Sequence, residues 1–213
     1  MATYTAAEDS SAGSFSIGKG PTASTVTSTT ANPLQPGRHA GSGACESAAF
    51  RFTGITETSI SAASFSMVVD STYSTANPII YIVSCQAADN AAALSTTSGD
   101  INATNRPRTT ADSGNWDLRT ATGGTRYSID LTAAVQEVLA RGGWASGNAI
   151  VVLVDTSTGS TVDNEWQDIR AIDAPTSGDE AQLVLTASGG GGSSYRSGGE
   201  LRGVLRGVAQ GAI

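Results

Sequence analysis

Residues 127–155, YSIDLTAAVQEVLARGGWASGNAIVVLVD, decide the fold. Leu131, Val135, Val138 and Leu139 recur at i, i+4, i+7 and i+8, which gives a helix one apolar stripe. Asp130 stands just ahead of that stripe, where its carboxylate can accept from the unpaired N–H groups of a first turn. Arg141 falls at the last turn, where a cation suits the helix dipole, and Gly142-Gly143 offers a left-handed stop. Trp144 follows, then a Ser146-Gly147-Asn148 turn. Ala149 to Val154 are six apolar residues without alternation, so they predict a central strand covered on both faces.

On the N-terminal side, Ala49–Phe52 and Ile60–Val69 alternate as strands, with Ile60, Ala62, Phe65, Met67 and Val69 expected inward. Asn77-Pro78 is a break, and Ile79–Cys85 predicts a further strand. Ala87–Leu94 reads as a helical turn or a loop, and 95–115 as a polar loop before a strand opening at Trp116. On the C-terminal side come a polar turn over Thr156–Asp163, a strand over Trp166–Ile172 and a closing strand over Ala181–Ala187. Short strands with Gly and Ser turns and one brief helix predict an all-β fold, an antiparallel β-sandwich.

The flanks differ in composition. Residues 1–46 are rich in Ala, Ser, Thr and Gly without an apolar period, apart from a short strand near Ser14–Ile17, and are expected to be an N-terminal arm held by partner subunits. The body is then 47–187, and 188–213 is a Gly-rich linker with a C-terminal docking arm. Residues 1–25 hold no apolar stretch of signal-peptide type, and no run reaches membrane-spanning length, so the expectation is a protein made in a cytoplasm without a membrane partner.

Twelve basic residues against nineteen acidic ones give a net charge of −7, which disfavours general nucleic-acid binding. From Gly189 onward three arginines face one glutamate, a net +2, leaving −9 on the rest of the chain. Within that tail Leu-Arg-Gly-Val repeats directly at 201–204 and 205–208. Leu201, Val204, Leu205 and Val208 would form a stripe on a helix, while Gly203 and Gly207 oppose an isolated helix by about 1 kcal/mol each, so the segment needs a surface to order on. These residues, with Arg202 and Arg206 meeting an acidic neighbour, are the expected subunit-docking set.

Several segments occur together in a familiar order. They are Ala49-Phe50-Arg51-Phe52, Ile60–Ser66, Trp116, Tyr127–Asp155, Arg170 with Asp173-Ala174-Pro175, and Gln182-Leu183-Val184-Leu185. In that order the chain, over roughly 48–187, resembles the DNRLRE-type jelly-roll modules. The most specific part is Asp130 to Ala149, although the hexapeptide that gives the modules their name is absent. The resemblance implies a jelly roll. It also implies one of two settings: accessory structural proteins of tailed bacteriophages, or carbohydrate-binding modules of secreted proteins. With the tail, the first setting is expected: a virion protein that binds copies of itself and other virion proteins.

Candidates for chemistry are few. His39 is the single histidine and lies in the arm, no base is suggested near Cys45 or Cys85, and no cofactor motif occurs, so no enzyme is expected. The two cysteines read as buried free thiols, with a bridge between them as the alternative. The oxygen-rich stretch Asp155–Glu165 lacks EF-hand spacing and reads as turn vocabulary, so no metal site is assigned. Trp116 and Trp166 are the candidates for stacking on a sugar ring, against the plainer reading of packing.

Overall fold

The computed structural model describes residues 1–6, 11–17, 25–28, 34–38, 44–71, 78–95, 97, 99–157, 165–170 and 178–188. In chain order the first strands are β1 (Ala2–Thr5), β2 (Ser11–Ile17), β3 (Thr25–Ser28), β4 (Gly37–Arg38), β5 (Ala44–Ile55) and β6 (Ile60–Val68). Then come β7 (Ile80–Gln86), β8 (Arg108–Asp117), β9 (Arg126–Asp130), the helix α1 (Thr132–Leu139), β10 (Asn148–Thr156), β11 (Glu165–Trp166) and β12 (Gln182–Ala187).

One sheet has the order β1-β12-β6-β9, and the spine of the other is β5-β10-β7-β8. If the eight strands of these two rows are ranked along the chain, the rows read 1-8-3-6 and 2-7-4-5. Apart from the β7–β8 pair, neighbouring strands of these rows are distant in sequence, all pairs are antiparallel, and the result is a jelly-roll sandwich. The second sheet is extended past β5 by β2 and β3, and by a β4–β11 patch. Both β2 and β4 pair with β5 at Cys45 and Glu46, so they flank it on opposite sides. Tyr81 locks that patch to β7: its hydroxyl donates to Pro36 O at 2.6 Å and accepts from Gln167 N–H at 3.0 Å. Burial pushes this phenol well above its ordinary pKa.

The inner faces supply one apolar core. Phe50 and Phe52 of β5 meet Phe65 of β6 with ring centroids 5.5 and 6.3 Å apart, and Trp116 of β8 lies edge-on to Phe65 at 6.5 Å. Ile150, Val152 and Val154 line the inner side of β10, and α1 adds Ala134, Val135, Val138 and Leu139. The other side of β10 is covered too. Val151 and Leu153 join Ala49, Ala91, Leu94 and Ile101 in a second, smaller apolar cluster beneath the segment 87–107. That flap is why the strand lacks alternation, as the sequence implies.

The structure departs from the sequence expectations in several places. Residues 2–5, expected in an arm, are the edge strand of the first sheet and run in register with Gln182–Leu185. Segments 11–17, 25–28 and 37–38 are also strands of the body, and β5 already begins at Ala44. Ala62 is exposed and Ala63 is buried in its place. An irregularity where β6 meets Thr186 and Ala187 resets the alternation between Ile60 and the Ala63, Phe65, Met67 series. The segment 87–94 takes the loop of its two expected forms, while the strand expected to open at Trp116 runs from Arg108, so Trp116 is close to its end. After Trp166 the strand stops, and Ile169 makes isolated bridges to Leu34 and Val69 instead. Gly142 and Gly143 do not take a left-handed conformation; the helix is capped at Ala140, whose N–H donates to Gln136 O.

Cys85 is a buried free thiol, pushed above its ordinary pKa by burial and then by Glu137. Its register partner on β10 is Val152, which faces Phe50 of β5. Cys45 is five residues further along β5, roughly 17 Å at strand spacing, far outside bridging distance. No disulfide joins the two.

Candidate docking site

The segment that carries the resemblance turns out to be a clamp. Asp130 Oδ1 accepts from Thr132 N–H at 3.0 Å and from the Thr132 hydroxyl at 2.5 Å, one residue ahead of the cap position Leu131. These hydrogen bonds, the hydroxyl first, hold the Asp130 carboxyl below the ordinary carboxylate range. The same hydroxyl accepts from Ala63 N–H at 2.9 Å, tying the start of α1 to β6. Further along the helix, Gln136 Nε2 donates to Ile60 O at 3.1 Å, and Glu137 accepts from the N–H groups of Thr110 and Ala111 at 2.9 Å each. Those two N–H groups turn outward because β8 places 109–111 opposite the single residue Cys85. Glu137 therefore closes part of an edge that would otherwise be open to another strand.

Beyond the helix, Trp144 packs on the core and donates its indole N–H to Glu57 O at 3.1 Å. Gly147, at φ 95, gives its N–H to Ile55 O at 2.7 Å, a conformation for which glycine is the natural residue. Asn148 Nδ2 donates to Asp89 O, and Asn90 accepts from Ala149 N–H, so the turn before β10 also grips the flap. A Cβ on Gly143 would collide with the Asp89 carboxylate, which pairs with Arg141 at 2.6 Å.

The consequence is a rigid loop between β5 and β6. Thr56 N–H donates to the Tyr4 hydroxyl at 3.1 Å, that hydroxyl donates to Glu57 Oε2 at 2.5 Å, and Ser188 N–H donates to Ser59 O at 3.2 Å. Two hollows flank the loop. One, of about 250 Å³, is lined by Thr58, Ser59, Ile60, Gln136, Leu139 and Ala140. The other, of about 330 Å³, is lined by Thr56, Glu57, Thr58, Ser59, Ala187 and Ser188. Thr58 and Ser59 are common to both, so the pair reads as one groove crossing the loop. Its floor is Ile60 and Leu139, its rim is hydroxyls, and its single ionisable residue is Glu57. Each hollow on its own has room for one or two aliphatic side chains.

Two buried charges, Arg106 and Asp155, are committed around the flap, while buried Asp168 accepts from Gln35. Arg106 pairs with Asp100 at 3.0 Å and donates to Gln86 Oε1, Ala92 O and Ala93 O. Arg108 pairs with Asp155 at 2.8 Å, and Asp155 also accepts from Ser47 at 2.8 Å. Asp155, the first oxygen of the acidic turn, is thus already neutralised. Among the described residues no group of three or more His, Cys, Asp or Glu is placed to hold a metal ion, and no helix is long and apolar enough to cross a membrane.

The sequence-predicted sites fare unequally. Leu201–Val208 and His39 lie outside the described residues. Trp116 is 7% exposed with its ring on Phe65, so it has no face to offer a sugar. Trp166 is half-buried on the short β11 beside Gly37 of β4 and shares no exposed platform with Trp116. The loop at 56–59 carried no distinguishing signal, since Thr-Glu-Thr-Ser is ordinary turn composition. Gln136 and Trp144, which hold that segment, lie inside the most specific part of the resemblance. No family model matches the chain, and a search of the curated proteins finds no match either.

Proposed function

We propose that this chain is a non-enzymatic structural protein of a bacteriophage particle, a decoration, neck or tail accessory subunit. In this reading it binds copies of itself and other particle proteins through its C-terminal repeat. The observation that carries the proposal is the doubled Leu-Arg-Gly-Val at 201–208, attached by a Gly- and Ser-rich linker to a body that closes at Ser188. The jelly roll agrees with the fold that the resemblance implies, and a compact body with a tail is a geometry suited to joining subunits. Residues 189–200 can extend to roughly 40 Å, comparable with the diameter of a body of this length, so the repeat can reach a neighbour. A tail of net +2 on a remainder of −9 favours that encounter. The N-terminal strands are spent on the body, which narrows the docking role to the C-terminal side.

Sedimentation of the full chain beside a 1–188 truncation tests the reading. Self-association by the full chain and a monomeric truncation are expected. A truncation that associates as well as the full chain overturns it.

A further inference from the structure

We infer that the groove across Thr58 and Ser59 is the receptor for the C-terminal repeat of a second copy of this chain. The inference rests on the docking role proposed above and assigns it a surface. Three observations converge on this end of the sandwich. The groove has an apolar floor of Ile60 and Leu139, and its lining contains Glu57 but no lysine or arginine. The repeat offers the matching chemistry: Leu201 and Leu205 for the floor, Arg202 and Arg206 for a carboxylate and hydroxyl rim. The last described residue before the repeat also lies at the groove: Ser188 is both a lining residue and the donor to Ser59 O.

Self-association is the role proposed above, so the occupant is the repeat of a second copy. Two bodies that face each other through this end bring each Ser188 beside the other's groove. The exchange is then reciprocal, the self-complementary arrangement expected of a two-fold pair. The receptor is also preformed. Tyr4, Trp144, Gln136 and Ser188 hold the 56–60 segment at four points, so binding does not have to order it.

The test uses the full chain and three single substitutions. Ala140→Arg and Thr58→Arg place a cation at exposed positions of the groove, and Leu205→Arg disables the repeat. Sedimentation equilibrium should show wild-type self-association weakened at least tenfold by each, with an unchanged cooperative thermal transition in all three. If Leu205→Arg weakens association and both groove variants do not, the tail docks elsewhere: the receptor assignment falls and the docking role stands. If none of the three weakens it, the docking role falls as well. A monomeric wild type overturns the second copy as occupant.

Discussion

At the residue scale, Asp130 and Thr132 show how a short motif earns its place. The threonine hydroxyl donates to the Asp130 carboxylate and accepts from Ala63 N–H, while the Thr132 N–H donates to the same carboxylate, so replacing either residue disturbs β9, β6 and the start of α1. Asp130→Ala should cost about 1 kcal/mol, the usual net worth of a hydrogen bond, because it removes the acceptor of the Thr132 N–H and hydroxyl. The pH dependence follows from the direction of its shift. Because folding lowers this pKa, its stabilisation is complete above the ordinary aspartate value and is lost as pH falls through the lower folded one. Denaturant melts of wild type and Asp130→Ala should therefore differ at pH 7 and converge once the pH falls below the lowered folded value. A gap that persists in acid would show that packing rather than ionisation carries the effect. The sequence pointed to the Asp130 carboxylate. It did not show the bond from Thr132 to Ala63, because that contact spans two elements far apart in the chain.

At the element scale, the flap over residues 87–107 is the feature least visible in the sequence. The unbroken apolar run of β10 said that something covers both faces. The covering residues, Ala91, Leu94 and Ile101, are spaced without period in an otherwise polar stretch, so pattern alone could not assign them. What fixes the flap is Arg106, only 3% exposed, reaching Asp100, Gln86 and two backbone carbonyls. Removing one partner of a buried ion pair strands the other, at roughly 3–5 kcal/mol. Arg106→Ala should thus lower the melting temperature and, in hydrogen exchange, deprotect Ala91 N–H and Arg106 N–H well before the amides of β10. Uniform loss of protection across the sandwich would mean that the flap does not open as a separate unit. The strand β8 was missed for a related reason. Thr-Thr-Ala-Asp-Ser-Gly-Asn has the composition of a loop, and pairing with β7, with Glu137 covering its bulge, makes it a strand.

At the scale of the whole molecule, the N-terminal strands belong to the body, and the docking role proposed for 189–213 rests on its sequence. Composition made both look like arms, since 1–46 shows no apolar period and 188–213 is Gly-rich around its repeat. For the N-terminus that inference fails because a four-residue edge strand needs backbone pairing more than side-chain burial. Ala2–Thr5 obtains that pairing from β12, adds the Ala6 N–H to Ala181 O bond, and sends Tyr4 to hold the 56–57 turn. Deleting residues 1–6 removes those bonds, frees the edge of β12 and releases one side of the groove. At about 1 kcal/mol per net hydrogen bond the loss is roughly 3 kcal/mol or more, a fall in Tm of about 6–12 °C for a chain of this size. The bared β12 edge should also promote aggregation. Deletion of 189–213 touches none of these contacts and should leave Tm within about 2 °C while abolishing self-association. Thermal melts of the two truncations beside the full chain decide the matter. A Tm unaffected by the loss of residues 1–6 would restore the N-terminus to the status of an arm and remove Tyr4 from the support of the docking groove.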